Sequence, residues 1–170
     1  VTTIGDNAFF CCTAIESIEI PNSVTTIGKT AFWCCRSLTT VTIGDSVTTI
    51  GSSAFYDCTK LASIKVVGAN TKYSSEDGVL FNANKTELIC YPAGRNAKSY
   101  TILDSVITIG EGAFKGCTEL TSVTIPDSVT TIGESAFFDC KAIESIEIPN
   151  SVTTIGKTAF WCCSSLTTVT

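Results

Sequence analysis

Ten cysteines are the side chains with the greatest capacity for chemistry in this 170-residue chain. Thiolates bind metals and exchange disulfides, but the chain lacks histidine, the commonest general base and zinc ligand. No Cys-x-x-Cys pair is present, and six cysteines follow the phenylalanine of an Ala-Phe pair by three residues: Cys12, Cys35, Cys58, Cys117, Cys140 and Cys163. This regular position indicates packing, so we interpret the column as a ladder of small buried thiols and predict no metal and no cofactor.

Paired carboxylates are the second arrangement with catalytic potential, because glycoside hydrolysis uses two carboxylic acids. Glu16 and Glu19 form such a pair, but nothing in the sequence encloses them in a pocket that would separate their pKa values. The absence of histidine also excludes Ser-His-Asp and Cys-His catalysis. The sequence therefore predicts a protein that is not an enzyme.

Composition narrows the choice of partners. Apolar residues make up 44% of the chain and charged residues 16%, which is typical of a folded domain. The formal charge of −5 and the scattered lysines and arginines exclude a basic surface for nucleic acid. No apolar run approaches the roughly 20 residues of a membrane span. The chain starts and stops within a repeat, so we expect a fragment of a longer array, in which missing targeting signals mean little.

The elements that position these residues recur with a fixed period. Ile-Gly pairs stand 23 residues apart at Ile4, Ile27 and Ile50, and again with the same step at residues 109, 132 and 155. Each unit also carries a run of the type Leu-x-x-Ile-x-Ile, which indicates one short strand per coil, pairing in parallel with its copies. The Ala-Phe-x-x-Cys segment places apolar residues at helical spacing, so we predict one helical turn there. The pattern predicts a solenoid of about seven coils, as a single domain over residues 1–170.

One coil is longer than the others. The step from Ile50 to Ile109 exceeds two regular coils by thirteen residues, and it contains the strand-like runs 78–81 and 86–91 around an Asn-rich turn at 82–85. We predict a β-hairpin within a long coil at about 67–103, replacing the helical turn of that coil. Residues 14–42 recur at 142–170 with one change, Arg36 to Ser164, so many surface residues are repeated because they were copied.

The pattern Ile-Pro-Asn-Ser-Val-Thr-Thr-Ile-Gly-x-x-Ala-Phe-x-x-Cys-x-x-Leu resembles the BspA-like, or Treponema pallidum-type, leucine-rich repeat, and the resemblance covers essentially the whole chain. It implies a right-handed leucine-rich-repeat solenoid with a parallel β-sheet on its concave face. It also implies a secreted or cell-surface protein that adheres to host matrix proteins or other cells. The doubled cysteines at 11–12, 34–35 and 162–163 depart from the family pattern, where the first position is more usually Gly, Asn or Asp.

Two surfaces are candidates for binding a protein or glycan. The first is the outward face of the strands, where hydroxyls and charged groups recur in two columns. Its candidate residues are Glu16, Glu19, Thr39, Thr42, Lys65, Thr121, Thr124, Glu144 and Glu147. The second is the position after each Ala-Phe pair, which is aromatic in five of six coils: Phe10, Trp33, Tyr56, Phe138 and Trp161, with Lys115 in the sixth. Solvated strand residues and rings packed against neighbouring turns are the structural alternatives for these two surfaces.

Two modifications are also predicted. Cys11 and Cys34 occupy the same position on adjacent coils, at a distance that permits a disulfide. Asn84 begins an Asn-Lys-Thr sequon at the predicted turn, and its glycosylation requires secretion from a eukaryotic cell.

Three functions remain open. The first is extracellular recognition or adhesion through the strand face, and the second is end-to-end self-association of coils into a structural filament. The third is ice binding, suggested by the two adjacent threonine columns that include Thr25 and Thr26, although threonine is also simply a good strand residue.

Overall fold

The computed structural model describes residues 1–170 and consists of sixteen short strands with no helix. Numbered in chain order, seven strands form one side of the coil: β2 (Ser17–Ile20), β4 (Thr40–Ile43), β6 (Ser63–Val66), β10 (Ser99–Thr101), β12 (Ser122–Thr124), β14 (Ser145–Ile146) and β16 (Thr168–Val169). Seven others form a second side: β1 (Thr3–Ile4), β3 (Thr26–Ile27), β5 (Thr49–Ile50), β9 (Glu87–Cys90), β11 (Thr108–Ile109), β13 (Thr131–Ile132) and β15 (Thr154–Ile155). The remaining two are β7 (Tyr73–Glu76) and β8 (Val79–Asn82).

Equivalent strands of successive coils pair in parallel and in register. Ser17 lies opposite Thr40, and Thr40 lies opposite Ser63, so the 23-residue period is also the hydrogen-bonding register. The predicted repeat solenoid of about seven coils with parallel strands is thereby confirmed. Its first side is divided, however, into a three-stranded ladder (β2-β4-β6) and two two-stranded ladders (β10-β12 and β14-β16).

The predicted helical turns are wrong, because the backbone in these segments alternates between two kinds of hydrogen bond. Asn7, Phe9 and Cys11 donate their N–H groups to carbonyls of the next coil, at 3.0, 2.8 and 2.8 Å. The intervening Ala8 and Phe10 donate to carbonyls three residues earlier, at 3.2 and 3.0 Å. A helix would instead direct every N–H along its own segment. The segment is a series of tight turns that is completed only by the neighbouring coil.

Residues with positive φ set this alternation. Two positions in each regular coil adopt left-handed backbone: the residue before Ala-Phe and the residue before the column cysteine. The second position is held by Cys11 (φ 55°), Cys34 (φ 64°), Asp57 (φ 58°), Gly116 (φ 76°), Asp139 (φ 62°) and Cys162 (φ 61°). Gly, Asn and Asp tolerate this conformation best. The first cysteine of each doubled pair therefore stands where the backbone favours those residues.

The core consists of stacked columns of identical residues. Phe32 stacks between Phe9 and Phe55 with ring centroids 5.1 and 5.6 Å apart, and Phe137 stacks on Phe114 at 4.9 Å. Column cysteines pack beside these rings, and the thiol of Cys140 donates to the Phe114 carbonyl of the preceding coil at 3.1 Å. Cys35, Cys58 and Cys163 make the equivalent bond at the same distance. The interpretation of the cysteine column as buried packing agrees with this arrangement.

The long coil inserts two antiparallel pairings into the stack. Strands β7 and β8 pair around a turn at Asp77 and Gly78, and β8 then pairs with β9. Strand β8 is buried on both faces: Leu80 belongs to a core cluster of 17 residues on its N-terminal side, whereas Val79 and Phe81 belong to a cluster of 21 residues on the other. The hairpin therefore forms a wall between two cores. Its predicted role as a substitute for one helical turn is wrong, because no coil has such a turn.

Candidate functional site

The outward face of the first-side strands presents most of its candidate residues to solvent. Eight of the nine are exposed and Thr42 is half-buried: Glu16, Glu19, Thr39, Lys65, Thr121, Thr124, Glu144 and Glu147 are the exposed ones. Register places Glu19, Thr42 and Lys65 in one row across three adjacent strands. In the N-terminal half, the face is therefore a flat array in which acidic, hydroxyl and basic groups succeed one another.

Threonines in the other column of this face also connect the coils. The hydroxyl of Thr39 donates to the Glu16 carbonyl at 2.9 Å, and that of Thr121 donates to the Lys98 carbonyl at 2.8 Å. Because these donors are used within the protein, the groups left free for a partner in this column are mainly the charged side chains.

Lys98 also belongs to this face, although it is not among the residues predicted from the sequence. The backbone N–H of Thr121 donates to the Lys98 carbonyl, and Ser99 lies opposite Ser122, so Lys98 occupies the column of Thr121 in the coil of β10. Its ammonium forms an exposed ion pair with Glu119 at 2.6 Å, and this hydrogen bond lowers the pKa of Glu119. The 23-residue period carried the signal, because residue 98 lies one coil step before Thr121.

The face shows no convergence of groups that would suggest chemistry. Glu16 and Glu19 are both exposed, and nothing encloses them. No cluster of three or more Cys, Asp or Glu residues has the geometry to hold a metal ion. What this surface offers is a rigid display of charges and hydroxyls.

The aromatic candidates form a second continuous row. Trp33 contacts Phe10 and Tyr56, with ring centroids 5.3 and 5.6 Å apart, and Phe138 contacts Trp161 at 5.6 Å. Phe10 is 47% exposed and Trp161 is 60% exposed, whereas the three between them are half-buried. The row therefore combines the two interpretations: its rings pack on one another and still present one side to solvent.

Lys115 joins the two halves of this row. Its ammonium lies 4.1 Å from the ring centroid of Tyr56 and 4.9 Å from that of Phe138, and the two rings lie 6.4 Å apart. A cation above an aromatic face is attracted by the negative charge of the ring surface. Burial lowers the pKa of Lys115. The only non-aromatic member of the column thus connects the rings across the long coil at about 67–103, which we call the hairpin coil.

The two cysteines of the predicted disulfide lie on adjacent coils as free thiols. Cys11 is exposed and Cys34 half-buried. The neighbouring Cys11 thiol, through a hydrogen bond, raises the pKa of Cys34 to about 11. A thiol with a raised pKa reacts slowly, because the thiolate is the nucleophile. Their disulfide remains a proposal.

Asn84 is exposed in the tight turn between β8 and β9. The side chain of Asn82 holds this turn: its Oδ1 accepts from the N–H groups of Thr86 and Glu87 at 2.8 and 3.0 Å, and its Nδ2 donates to the Thr86 hydroxyl at 2.9 Å. The sequon is therefore accessible, and its glycosylation remains a proposal.

The threonine columns of the second side also connect coils. The hydroxyls of Thr25, Thr48 and Thr153 donate to backbone carbonyls of the preceding coil at 3.2 to 3.3 Å. Ile107, which is 46% exposed, interrupts this column. The arrangement is that of strand residues that stabilise their ladder.

The structure contains no helix that could cross a membrane. A sequence profile described as BspA type leucine rich repeat region matches residues 1–92 and 89–170, in six copies. A comparison with curated proteins found no match.

Several solved structures share the fold. A leucine-rich repeat protein from Eubacterium ventriosum is 29% identical, with a TM-score of 0.77 over 99% of this chain and 57% of that chain. One from Bacteroides ovatus is 29% identical, with a TM-score of 0.61 over 100% of this chain and 41% of that chain. The pneumococcal vaccine antigen PcpA is 24% identical, with a TM-score of 0.71 over 99% and 53%. The chain thus spans about half the length of these structures.

Proposed function

Because the chain belongs to the BspA-type leucine-rich repeat family, we propose that it is a non-catalytic recognition module that binds a protein or glycan at a cell surface or outside the cell. The observation that carries this proposal is the rigid strand face, on which Glu19, Thr42 and Lys65 stand in one register-locked row. A surface fixed by backbone hydrogen bonds loses little conformational entropy when it binds.

The charge order on this face supports a specific partner. Glutamates stand on the outer coils, with Glu16 and Glu19 in one half and Glu144 and Glu147 in the other, while Lys65 and Lys98 occupy the middle coils. A face that is acidic at both ends and basic in the middle selects a partner with the complementary order of charges, and its binding should weaken with salt.

The test uses a panel of immobilised matrix glycoproteins, namely fibronectin, laminin and fibrinogen, together with a glycan array. Relatives of this fold include a vaccine antigen and a leucine rich cell surface protein from Faecalibacterium prausnitzii, which motivates the choice of extracellular probes. We expect at least one probe to bind, and Glu19→Lys with Glu147→Lys to weaken that binding at least about tenfold, because each reversal turns an attractive charge pair with the partner into a repulsive one.

The matched control for each substitution is Glu134→Lys, which makes the same single charge reversal at an exposed turn residue that lies off the first-side strands. It should leave binding unchanged. Failure of every probe to bind, or an equal loss in the control, would contradict the proposal.

Self-association is the second candidate. Ile155 and Trp161 are 49% and 60% exposed, whereas the equivalent Ile27 is fully buried and Trp33 half-buried beneath the following coil. A further coil packed on this apolar face, for example from a second copy, would bury both side chains. Sedimentation velocity over a hundredfold range of concentration distinguishes the two candidates, because growing assemblies favour self-association and a constant monomer favours recognition.

A further inference from the structure

The hairpin coil leaves a gap in the otherwise continuous column of turns. Leu88 lies opposite Ile109, and Tyr91 takes the place of the core phenylalanine by stacking on Phe114 at 5.2 Å. Tyr91 follows Leu88 by three positions, whereas Phe114 follows Ile109 by five. The turn segment of this coil is therefore two residues shorter than that of a regular coil, which leaves a gap between the turns of the preceding and following coils.

A cavity of about 200 Å³ occupies this gap, and we call it the hairpin notch. Its lining combines apolar side chains, among them Phe55, Leu80 and Ile89, with the polar residues Glu87, Glu111 and Lys115. Pockets for drug-sized ligands measure roughly 300–1,000 Å³. The hairpin notch is smaller, and its size suits one apolar side chain.

The backbone on one wall of the notch, which continues to Asp57 just beyond the lining, has unpaired donors. In the preceding coil, Thr30, Phe32 and Cys34 donate their N–H groups to the next coil at 3.1, 2.8 and 2.9 Å. The equivalent groups of Ser53, Phe55 and Asp57 donate to no backbone or side-chain acceptor. Three donors at every second residue, on one side of the chain, form an open edge like that of an unpaired strand.

The opposite wall offers unpaired acceptors. The carbonyls of Glu134 and Phe138 accept bonds from the coil before them, at 2.9 and 2.8 Å, but the equivalent carbonyls of Glu111 and Lys115 accept none. Between them, the Ala113 carbonyl accepts the N–H of Tyr91 at 2.7 Å. Among the residues that carry these free groups only Phe55 is buried, so the donors and acceptors of the two walls remain open to pairing with another backbone.

We propose that the hairpin notch binds an extended segment of a partner polypeptide. Its carbonyls would accept from the N–H groups of Ser53, Phe55 and Asp57, and one apolar side chain would fill the cavity. A peptide fits because an extended backbone presents acceptors for the donors of one wall and donors for the acceptors of the other at the required alternating spacing. A basic residue should accompany the apolar one, since Glu87 and Glu111 lie at the notch while the ammonium of Lys115 is already engaged by two rings.

This site is distinct from the strand face, so the two proposals fail separately. The probes are two pools of capped tetrapeptides, Ac-Xaa-Leu-Lys-Xaa-NH2 and Ac-Xaa-Leu-Glu-Xaa-NH2, added at millimolar concentration to the 15N-labelled chain. Amide hydrogen exchange is followed by NMR. In the free chain, the amides of Ser53, Phe55 and Asp57 should exchange faster than those of Thr30, Phe32 and Cys34, which are paired.

We expect the lysine pool to slow exchange at Ser53, Phe55 and Asp57 at least tenfold, and the glutamate pool to do so less. A first variant replaces Ile89 and Cys90 by Gly-Ser-Ser-Ala, which restores the five-residue step of the regular coils and fills the notch; it should abolish the protection. A second, Glu111→Lys, keeps the backbone and should remove the preference for lysine. Because Glu111 is exposed, this variant tests the proposal even if the first one does not fold.

Four results would overturn the proposal. The first is that neither pool slows exchange in the wild type. The second is that the pools slow exchange as much in the filled variant as in the wild type. Protection without peptide that grows with protein concentration would assign the notch to a second copy of the chain. Protection by a β-linked oligosaccharide such as cellotetraose, and not by peptides, would assign it to a glycan. The strand-face variant Glu19→Lys should leave all peptide effects unchanged.

Discussion

The regular coils and the hairpin coil stabilise the same solenoid by different means. In regular coils, every position has an equivalent one step along, and the coil-to-coil hydrogen bonds recur at the same positions. The hairpin coil has no equivalent coil beside it. It leaves polar groups without partners, including the buried Tyr91 hydroxyl and Arg95 Nε. Repetition thus satisfies the backbone almost automatically, and polar groups are left without partners where repetition stops.

The duplicated segments show what repetition determines and what it does not. Thr30 and Thr158 have φ of 53° and 54°, and Cys34 and Cys162 have φ of 64° and 61°. Backbone conformation is therefore set by the sequence of the repeat itself. Exposure is set by the neighbouring coils, since Phe32 is fully buried while the equivalent Phe160 is only half-buried.

The largest expected effect on the free energy of unfolding comes from alanine variants in β8, and these variants test whether β8 makes the two cores unfold together. Leu80→Ala should cost about 2–5 kcal/mol and Phe81→Ala about 3–5 kcal/mol in the free energy of unfolding, because both side chains are fully buried. Since one strand carries both residues, we expect each variant to lower a single cooperative transition, measured by urea denaturation and circular dichroism.

The matched control for these two variants is Glu134→Ala, an exposed turn residue, which should change stability by less than about 0.5 kcal/mol. The appearance of two transitions, only one of which moves, would show that the cores on either side of β8 unfold independently.

A smaller effect is expected from two cysteines of the buried column: Cys140, which lies between regular coils, and Cys117, which lies beside the hairpin coil. The Cys140 thiol lies 3.1 Å from the Phe114 carbonyl, whereas the Cys117 thiol lies 3.7 Å from the Tyr91 carbonyl. Both are buried, so each alanine variant should lose about 1–2 kcal/mol at pH 7, from lost apolar contact and the cavity left behind. The loss at Cys140 should be the larger, and equal losses would show that the thiol bond contributes nothing.

The same column makes stability depend on alkaline pH. Burial raises the pKa of Cys58, Cys117 and Cys140 well above that of a free thiol. Above about pH 8.5, the unfolded thiols ionise while the folded ones stay neutral, so the free energy of unfolding should fall as pH rises. Each thiol contributes up to about 1.4 kcal/mol per pH unit, and Cys140→Ala should reduce the slope accordingly. A slope that is unchanged in this variant would contradict the argument; Ser165→Ala is the exposed control.

The period of the sequence was sufficient to predict the repeat architecture and the buried column of cysteines, because a residue that recurs every 23 positions must stack on its copies. The helical turns were predicted wrongly because apolar residues at i and i+4 also fit consecutive tight turns. Asn7, Asp57, Gly112 and Gly116 at the positive-φ positions carried the opposite signal.

The hairpin coil was less predictable, for reasons specific to its residues. Strand β7 reads Tyr-Ser-Ser-Glu, without the apolar alternation that identifies a strand, and it forms because β8 supplies a partner. The hairpin notch required the register of Leu88 against Ile109, which no local pattern gives. Lys115 was visible in the aromatic column, but its contact with Tyr56 depends on how the hairpin coil is bridged.

The smallest expected effect concerns this bridge by Lys115. Burial lowers the pKa of its ammonium, while the faces of Tyr56 and Phe138 attract the charged form and act in the opposite direction. Lys115→Met keeps the length of the side chain and removes the charge, so at pH 7 it should change stability by only about 0.5–1 kcal/mol.

The pH dependence of the difference between the wild type and Lys115→Met decides which influence is stronger. If burial prevails, the unfolded chain holds more protons on this amine between the lowered folded-state pKa and about 10.4, so the wild type gains stability relative to the variant as pH rises through that window. Urea denaturation of both proteins from pH 7 to 10.5 measures the difference, in which the contribution of the thiols cancels. A relative loss of wild-type stability would show that the two rings bind the cation more strongly than burial opposes it.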